Sequence, residues 1–285
     1  MVLRLLFTSL AMSACGIVAG AHAPNTSVAS PDGPYVKPRL LAEHINFTPG
    51  KRSWLALEFA IAPGWHMYWK GQNDSGMPPQ IEFQLPEGFK VGEVLWPAPE
   101  RHTAPGDIVD SIVHEQMTLL IPVDVPVNAQ IGSQLEVGVS AQWLVCKEAC
   151  VMEDAALQVS LPVRNTMPAA ELNPKATGVF ASARERVPRN LPKENPPATI
   201  EWRNAGVTVH AAGASRLTFH PEEGGVALES PLSEGTAKSG TLVFRTKTTA
   251  KAELRLLGVL EIQKTGKKSE FYCVSLPQPG IKKPG

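Results

Sequence analysis

Two cysteines, Cys146 and Cys150, stand four positions apart and are the residues of this chain best suited to chemistry. In one extended strand their α-carbons would lie about 13 Å apart, which is too far for a disulfide, whereas one helical turn would bring them to about 6 Å. We therefore expect them to bond only if the strand breaks into a turn between them. A disulfide closing so short a loop restricts the unfolded chain little, which favours redox chemistry or metal ligation. The spacing alone leaves a structural disulfide or two free thiols open.

Short strands supply the elements that must position these cysteines, because apolar and polar residues alternate with the period of two that is typical of a half-buried strand. Turn residues such as Pro86-Glu87-Gly88 separate the segments. We predict an all-β fold of two tandem immunoglobulin-like β-sandwiches, the first at residues 34–164. Its predicted strands are 54–61, 81–85, 118–123, 135–144 and 156–161.

A proline-rich linker at residues 165–198 follows the first sandwich. Asn173 and Pro174 suit the N-cap and first position of a short helix, which we expect to end near Arg186. A second, smaller sandwich is predicted at residues 199–277, followed by a disordered tail at 278–285. Its predicted strands are 199–202, 207–211, 216–220, 225–229, 241–246, 252–260 and 268–276.

The first 23 residues have the form of an export signal, with a positive Arg4, an apolar core and the small-x-small sequence Ala21-His22-Ala23. We therefore expect the mature chain to begin near Pro24 in an oxidising compartment outside the cytoplasm. A lipoprotein anchored at Cys15 is the less favoured alternative. Removal of Cys15 with the signal leaves three cysteines, and we expect Cys273 to be a buried free thiol on a strand.

Composition excludes several classes of function. The 27 Lys and Arg residues balance 27 Asp and Glu residues, so the formal net charge is zero and does not favour a nucleic-acid or anionic-membrane partner. No second apolar segment approaches the length of a membrane span, so we expect the mature chain not to cross one. The sequence lacks the G-x-S-x-G and H-E-x-x-H patterns of common hydrolases. We predict no cofactor.

Four blocks of sequence follow one another along the first sandwich: W-H-x-Y-W-K with D-S-G-x-P-P, L-P-E-G-F-K, W-P-A-P-E-R and W-L-V-C-K-E-A-C. In this order they resemble the periplasmic N-terminal domain of the DsbD/ScsB family of thiol:disulfide interchange proteins. The resemblance extends from about Leu40 to Val163, and the second sandwich resembles the additional immunoglobulin-like domain of the ScsB branch. Near the cysteine site, Val113 to Gln116 stands where many relatives carry Tyr-Glu-Gly, so His114 is a local substitution.

The resemblance implies that a cysteine pair carries electrons from a membrane-embedded domain to periplasmic oxidoreductases, by thiol–disulfide exchange. We expect Cys146, at the end of its strand, to be the cysteine that enters the mixed disulfide with a partner. Full-length relatives continue into a membrane domain and a thioredoxin-like domain that this sequence lacks, so we expect a membrane thiol reductase in trans and thioredoxin-like partners. The residues implied are the catalytic pair Cys146 and Cys150, with Trp65, His66, Tyr68, Trp69, Trp143 and His114 shielding it or binding partners.

Two other functions remain open. The cysteines could form a soft Cu(I) site with thioether and imidazole groups such as His66, Met67 and His114. The ScsB branch is associated with copper tolerance, and the wider family with cytochrome c biogenesis. Alternatively, the disulfide is structural and the two sandwiches form a periplasmic docking module.

Overall fold

The computed structural model describes residues 33–165, 172–203, 206–247 and 255–278. The proposed signal peptide with Cys15, and all but the first residue of the proposed tail, lie outside these residues. The chain forms two immunoglobulin-like β-sandwiches joined by a linker with a short helix, which confirms the predicted fold class. Within the described residues, no helix is both long enough and apolar enough to span a bilayer.

The first sandwich consists of two antiparallel sheets. One sheet has the strand order β1-β2-β8-β5, and the other has the order β10-β9-β3-β7-β6, with β4 also pairing with β9. The strands are β1 Val36–Ala42, β2 Arg52–Ile61, β3 His66–Tyr68, β4 Gln80–Gln84, β5 Lys90–Val91, β6 Glu100–Ala104, β7 Ile108–His114, β8 Gln116–Asp124, β9 Gln134–Cys146 and β10 Cys150–Pro162.

Side chains alternate in direction along each strand, so the second sheet has two distinct faces. Successive side chains of a strand point to opposite sides, so Met67 of β3 and Trp69 directly after it enter the main core between the sheets. The intervening Tyr68 belongs to a separate small cluster with Ile112 and Cys146 on the other side. We call this second side the outer face. It carries both the disulfide and the polar residues described below.

The linker helix, α1 Thr177–Arg186, ends where the sequence predicts but begins later. The prediction that Asn173 is the N-cap is wrong, because Ala176 occupies the N-cap position. Instead, the Asn173 side-chain oxygen accepts a hydrogen bond from the Lys175 N–H at 3.1 Å, which holds a separate turn before the helix. The helix is anchored by Phe180, which is 1% exposed and packs with buried residues of β2 and β8.

The second sandwich has a five-stranded sheet in the order β11-β18-β17-β14-β15 and a three-stranded sheet in the order β12-β13-β16. Stacked rings of Phe219 and Phe244, 5.2 Å apart, lie in its core. A short helix, α2 Pro231–Glu234, was not predicted. The strands are β11 Arg189–Asn190, β12 Thr199–Arg203, β13 Gly206–His210, β14 Arg216–Pro221, β15 Thr236–Ala237, β16 Thr241–Arg245, β17 Arg255–Gln263 and β18 Glu270–Pro277.

The predicted strand at residues 225–229 is wrong. This segment forms only an isolated bridge between Leu228 and Thr246. Its carbonyl groups have a different partner, because the side chain of Gln72 in the first sandwich donates to the carbonyl oxygens of Gly225 and Val226 at 3.3 and 3.2 Å. Bonds to the first sandwich, together with separate backbone bonds to β16 and β17, thus take the place of a continuous strand ladder here.

The two sandwiches contact each other along the segment that follows β3. The Lys70 ammonium lies 2.7 Å from the Glu222 carboxylate, and the Gln72 N–H donates to the Pro221 carbonyl oxygen at 2.9 Å. Val259 of β17 belongs to the core of the first sandwich. On the neighbouring strand β6, Arg101 donates to the carbonyl oxygen of Pro231 at 2.8 Å. The second sandwich therefore holds the chain directly before the loop at residues 73–79.

Candidate functional site

Cys146 and Cys150 form a disulfide across the hairpin that joins β9 to β10. The two residues are directly opposite each other in the strand register, and their α-carbons are 4.1 Å apart. Between them the Lys147 N–H donates to the Ala149 carbonyl oxygen at 3.2 Å and closes a tight loop. The expected break in the strand is therefore present, although it is a hairpin loop between paired strands and not a helical turn.

The two cysteines differ in their exposure to solvent. Cys146 is 3% exposed, because β9 is an inner strand with β10 on one side and β3 on the other. Cys150 begins β10, the edge strand of the sheet, and its side is open to solvent. Cys146, which we expected to enter the mixed disulfide, is therefore the less accessible member of the pair. A sulfur atom approaching from outside meets Cys150 first.

Tyr68 lies against the disulfide on the outer face. Its hydroxyl oxygen is 3.7 Å from the Cys150 sulfur and 3.1 Å from the Ser75 hydroxyl oxygen. Burial raises the pKa of the phenol, against the lowering effect of the hydrogen bond with Ser75. The ring is 2% exposed, so it stays neutral and covers one side of the exposed sulfur.

The loop at residues 73–79 packs over Tyr68 and is held by Asp110 of β7. One Asp110 carboxylate oxygen accepts the backbone N–H groups of Asp74 and Ser75 at 2.8 and 3.0 Å, and the other accepts the Ser75 hydroxyl at 2.5 Å. Gly76 follows directly, and a Cβ at this position would lie 2.2 Å from the Tyr68 ring. The absence of a side chain therefore lets the loop approach the ring.

Three histidines cluster on the outer face, and one of them, His66, lies opposite Cys146. His66 is the cross-strand partner of both Cys146 and His114. The centroid of its ring is 5.8 Å from that of His114 and 5.2 Å from that of His102. Burial, with the nearby His102 and His114 rings, lowers the pKa of His66 to about 4, although Asp110 acts in the opposite direction. His66 is therefore a neutral imidazole at physiological pH.

Comparison with known proteins identifies the first sandwich. Residues 37–162 match the family described as thiol:disulfide interchange protein DsbD, N-terminal. This segment belongs to the DsbD N-terminal family. The likeness matches the resemblance inferred from the sequence blocks, and it places the disulfide within the matched residues. No curated protein sequence matches the chain.

Solved structures show that the fold extends beyond the DsbD N-terminal segment. The N-terminal periplasmic domain of ScsB from Proteus mirabilis superposes with a TM-score of 0.57 at 15% identity, covering 89% of this chain and 98% of that one. Both sandwiches therefore share its fold. The reduced DsbD N-terminal domain of Neisseria meningitidis, at 15% identity, covers 45% of this chain and 86% of its own. Its TM-score is 0.30, which is too low to compare the two folds in detail.

Within the DsbD N-terminal segment, the predicted shielding residues separate between the two faces of the sheet. His66, Tyr68 and His114 lie on the outer face with Cys146. The expectation is wrong for three tryptophans, which face the core side. Trp69 and Trp143 are buried in the main core, and the partly buried Trp65 packs against it and stacks on Tyr35 at 3.7 Å.

Sequence reasoning missed Asp110, His102 and the role of Ser75 within the DsbD N-terminal segment. Ser75 stands in the D-S-G block, but nothing in that block names its partner. Asp110 has a signal in the sequence, because it alternates with Ile112 and His114 along β7 and must share their face. His102 faces Asp110 on β6, so the same alternation would have found it once the register was known.

Two further predictions concern the free cysteine Cys273 and the binding of Cu(I). Cys273 is exposed and not buried, because on β18 its neighbours Tyr272 and Val274 occupy the core. It lines a cavity of about 440 Å³ between the sandwiches with Trp69 and Lys70. As for the Cu(I) alternative, the described part of the chain contains no group of three or more His, Cys, Asp or Glu residues that could hold a metal ion.

Proposed function

We propose that this protein exchanges electrons with protein dithiols through the Cys146–Cys150 disulfide. The observation that carries the proposal is the position of the disulfide, with its outer sulfur open to solvent at the edge of a sheet in a DsbD N-terminal segment. A structural disulfide stabilises mainly by closing a long loop, and this one closes a loop of three residues. The geometry suits exchange better than cross-linking.

Attack occurs at Cys150. A partner thiolate attacks the Cys150 sulfur, a mixed disulfide forms, and the Cys146–Cys150 bond breaks with Cys146 leaving as the thiolate. The partner's second thiol then attacks the partner sulfur of the mixed disulfide and releases Cys150. Two electrons and two protons pass to the cysteine pair, and the partner becomes a disulfide. The reverse sequence starts from the Cys150 thiolate and reduces a partner.

The partners that fit are thioredoxin-like oxidoreductases and a membrane thiol reductase, both acting in the periplasm. The ScsB domain that shares the fold is described as periplasmic, and the export signal inferred from the sequence agrees with that compartment. The loop at residues 73–79 and Tyr68 shield the disulfide on one side. Shielding of this kind restricts reaction with unrelated thiols, because only a partner that fits beside the loop reaches the sulfur. The division into a redox sandwich at 34–164 and a second sandwich at 199–277 is part of the same proposal.

A trapping experiment tests the assignment of Cys150. Cys273 is first replaced by Ala, so that the hairpin carries the reactive cysteines. We expect Cys146→Ala to form a stable mixed disulfide with a thioredoxin-fold protein that lacks its own resolving cysteine, because Cys150 remains exposed and nothing releases it. Cys150→Ala is the matched variant, and we expect it to react slowly because Cys146 is buried. Preferential trapping by Cys150→Ala would overturn the assignment.

The reduction potential of the pair tests the function itself. Exchange-active dithiols have potentials from about −120 to −270 mV, whereas structural disulfides fall below about −300 mV. We expect a value in the first range, obtained by equilibrating the protein in thiol buffers and counting free thiols by mass. A value in the second range would favour a structural disulfide in a docking module.

A further inference from the structure

Reduction of the disulfide leaves a buried sulfur at Cys146 that must be protonated or stabilised by a nearby positive charge. Attack at Cys150 releases Cys146 as a thiolate, and Cys146 is only 3% exposed. Burial disfavours an anion unless a proton or a positive charge is supplied nearby. The adjacent cation, Lys147, is exposed and its side chain lies beside Gly64 in the preceding turn. Water therefore has poor access to the leaving sulfur, and Lys147 points elsewhere.

His66 lies where its imidazole can exchange a proton with Cys146. It stands directly opposite Cys146 in the ladder between β3 and β9, and both side chains lie on the outer face. Opposite side chains in an antiparallel pair have their β-carbons about 4.5–5.5 Å apart, which is within reach of an imidazole and a thiol. His66 is itself 7% exposed. The pair is therefore enclosed together.

The groups that face His66 connect this pair to solvent and set its charge. His114 lies opposite on β7, with its side chain 39% exposed and its Nδ1 atom 3.3 Å from a Glu100 carboxylate oxygen. His102 faces it from β6, and Tyr68 lies beside it on the same strand. Asp110 is the nearby anion, and its oxygens are occupied by the 73–79 loop. His66 thus has an anion on one side and two titratable rings toward solvent.

We propose that His66 exchanges the proton of Cys146 during thiol–disulfide exchange, with His114 and His102 passing that proton to and from solvent. When the disulfide is reduced, the departing Cys146 sulfur takes up a proton delivered through His66. When the reduced pair closes again, neutral His66 accepts the Cys146 thiol proton as the sulfur attacks. The inference rests on the proposed function, and it assigns a role that shielding by His66 would not require.

The test compares the full-length protein with His66→Gln, which keeps a neutral polar side chain that does not titrate. His210→Gln is the matched control, because His210 lies in the second sandwich and contacts Thr241. The pKa of Cys146 in the reduced protein is measured by thiolate absorbance, using the Cys150→Ala, Cys273→Ala background. The rate of disulfide reduction by dithiothreitol is measured between pH 5 and pH 9 in proteins that keep both hairpin cysteines.

We expect His66→Gln to slow reduction at pH 7 by about tenfold or more, since a positioned acid–base group contributes at least that much. The Cys146 pKa should change little, because both side chains are neutral where the thiol titrates. His102→Gln, which interrupts the route to solvent, should slow reduction less and leave the Cys146 pKa nearly unchanged. His210→Gln should match the parent protein. Near-UV circular dichroism confirms that each variant is folded.

The outcomes separate the two proposals. An unchanged rate of reduction and an unchanged pH profile in folded His66→Gln would overturn the role of His66 while leaving exchange intact. A parent protein that fails to exchange with a thioredoxin-fold dithiol at any pH would instead overturn the proposed function. In that second case slower reduction of His66→Gln by dithiothreitol would still report the proton transfer.

Discussion

The lowered pKa of His66 predicts how much the free energy of unfolding decreases at acid pH. Its pKa is about 4 in the folded protein against an ordinary value of 6.5, with burial as the first cause. Between these values the unfolded chain binds more protons than the folded protein, so stability is lost as the pH falls through this window. From pH 8 to pH 5 the loss from this one group is about 2 kcal/mol. Above pH 7 its contribution to the pH dependence is close to zero.

The assay compares the pH dependence of unfolding in the wild-type protein and in His66→Gln. Urea denaturation at pH 8 and pH 5, followed by tryptophan fluorescence, gives the free energy of unfolding for each. Glutamine does not titrate, so the variant should lose about 2 kcal/mol less than the wild type over this interval. The buried His220 also has its pKa lowered by burial, but it is present in both proteins and cancels. Equal losses in the two proteins would refute the reasoning.

Four further predictions concern the loop, the interface and the core. Asp110→Asn should lower stability by about 1–3 kcal/mol and speed reduction of the disulfide by a small phosphine, because the loop loses its anion. Gly76→Ala should also speed phosphine reduction, since the added Cβ would lie 2.2 Å from the tyrosine ring beneath it. Trp143→Phe should lower the urea midpoint and leave the exchange rate unchanged, because this side chain lies in the core. Gln72→Ala removes side-chain bonds to three carbonyl groups of the second sandwich, and should speed amide hydrogen exchange in the 73–79 loop, whereas Gln84→Ala should not.

Much of the fold follows from the sequence because strand alternation is a local property. The period of two predicts β2, β8 and β9 within two residues of their observed ends. The same period, applied further, would have corrected the site. Trp143 and Cys146 are three positions apart, an odd separation, so in one strand they must face opposite sides. His66 and Tyr68 are two apart, and they share a face with the cysteine once β3 pairs with β9.

The parts that sequence could not supply depend on pairing between distant segments. Nothing local indicates that Cys150 belongs to an edge strand while Cys146 lies inside the sheet, and this difference decides which sulfur is accessible. The segment at 225–229 alternates as a strand should, yet its carbonyl groups bond to Gln72, more than 150 positions away. Bonds of this kind are decided by packing of the two sandwiches and leave no periodic signal.

The same alternation places two contacts with the second sandwich directly beside groups on the outer face that carries the disulfide. On β7, Asp110 holds the 73–79 loop on the outer face, while the next residue, Ser111, has its hydroxyl oxygen 3.4 Å from His220 of the second sandwich on the other side. On β6, Arg101 bonds to carbonyl groups of α2, and its neighbour His102 faces the histidine cluster. Each of these two contacts with the second sandwich is thus one residue from a group on the outer face. A shift of that sandwich would move β6 and β7 themselves, so we infer that its contribution is to fix the strands that carry the loop and the histidines.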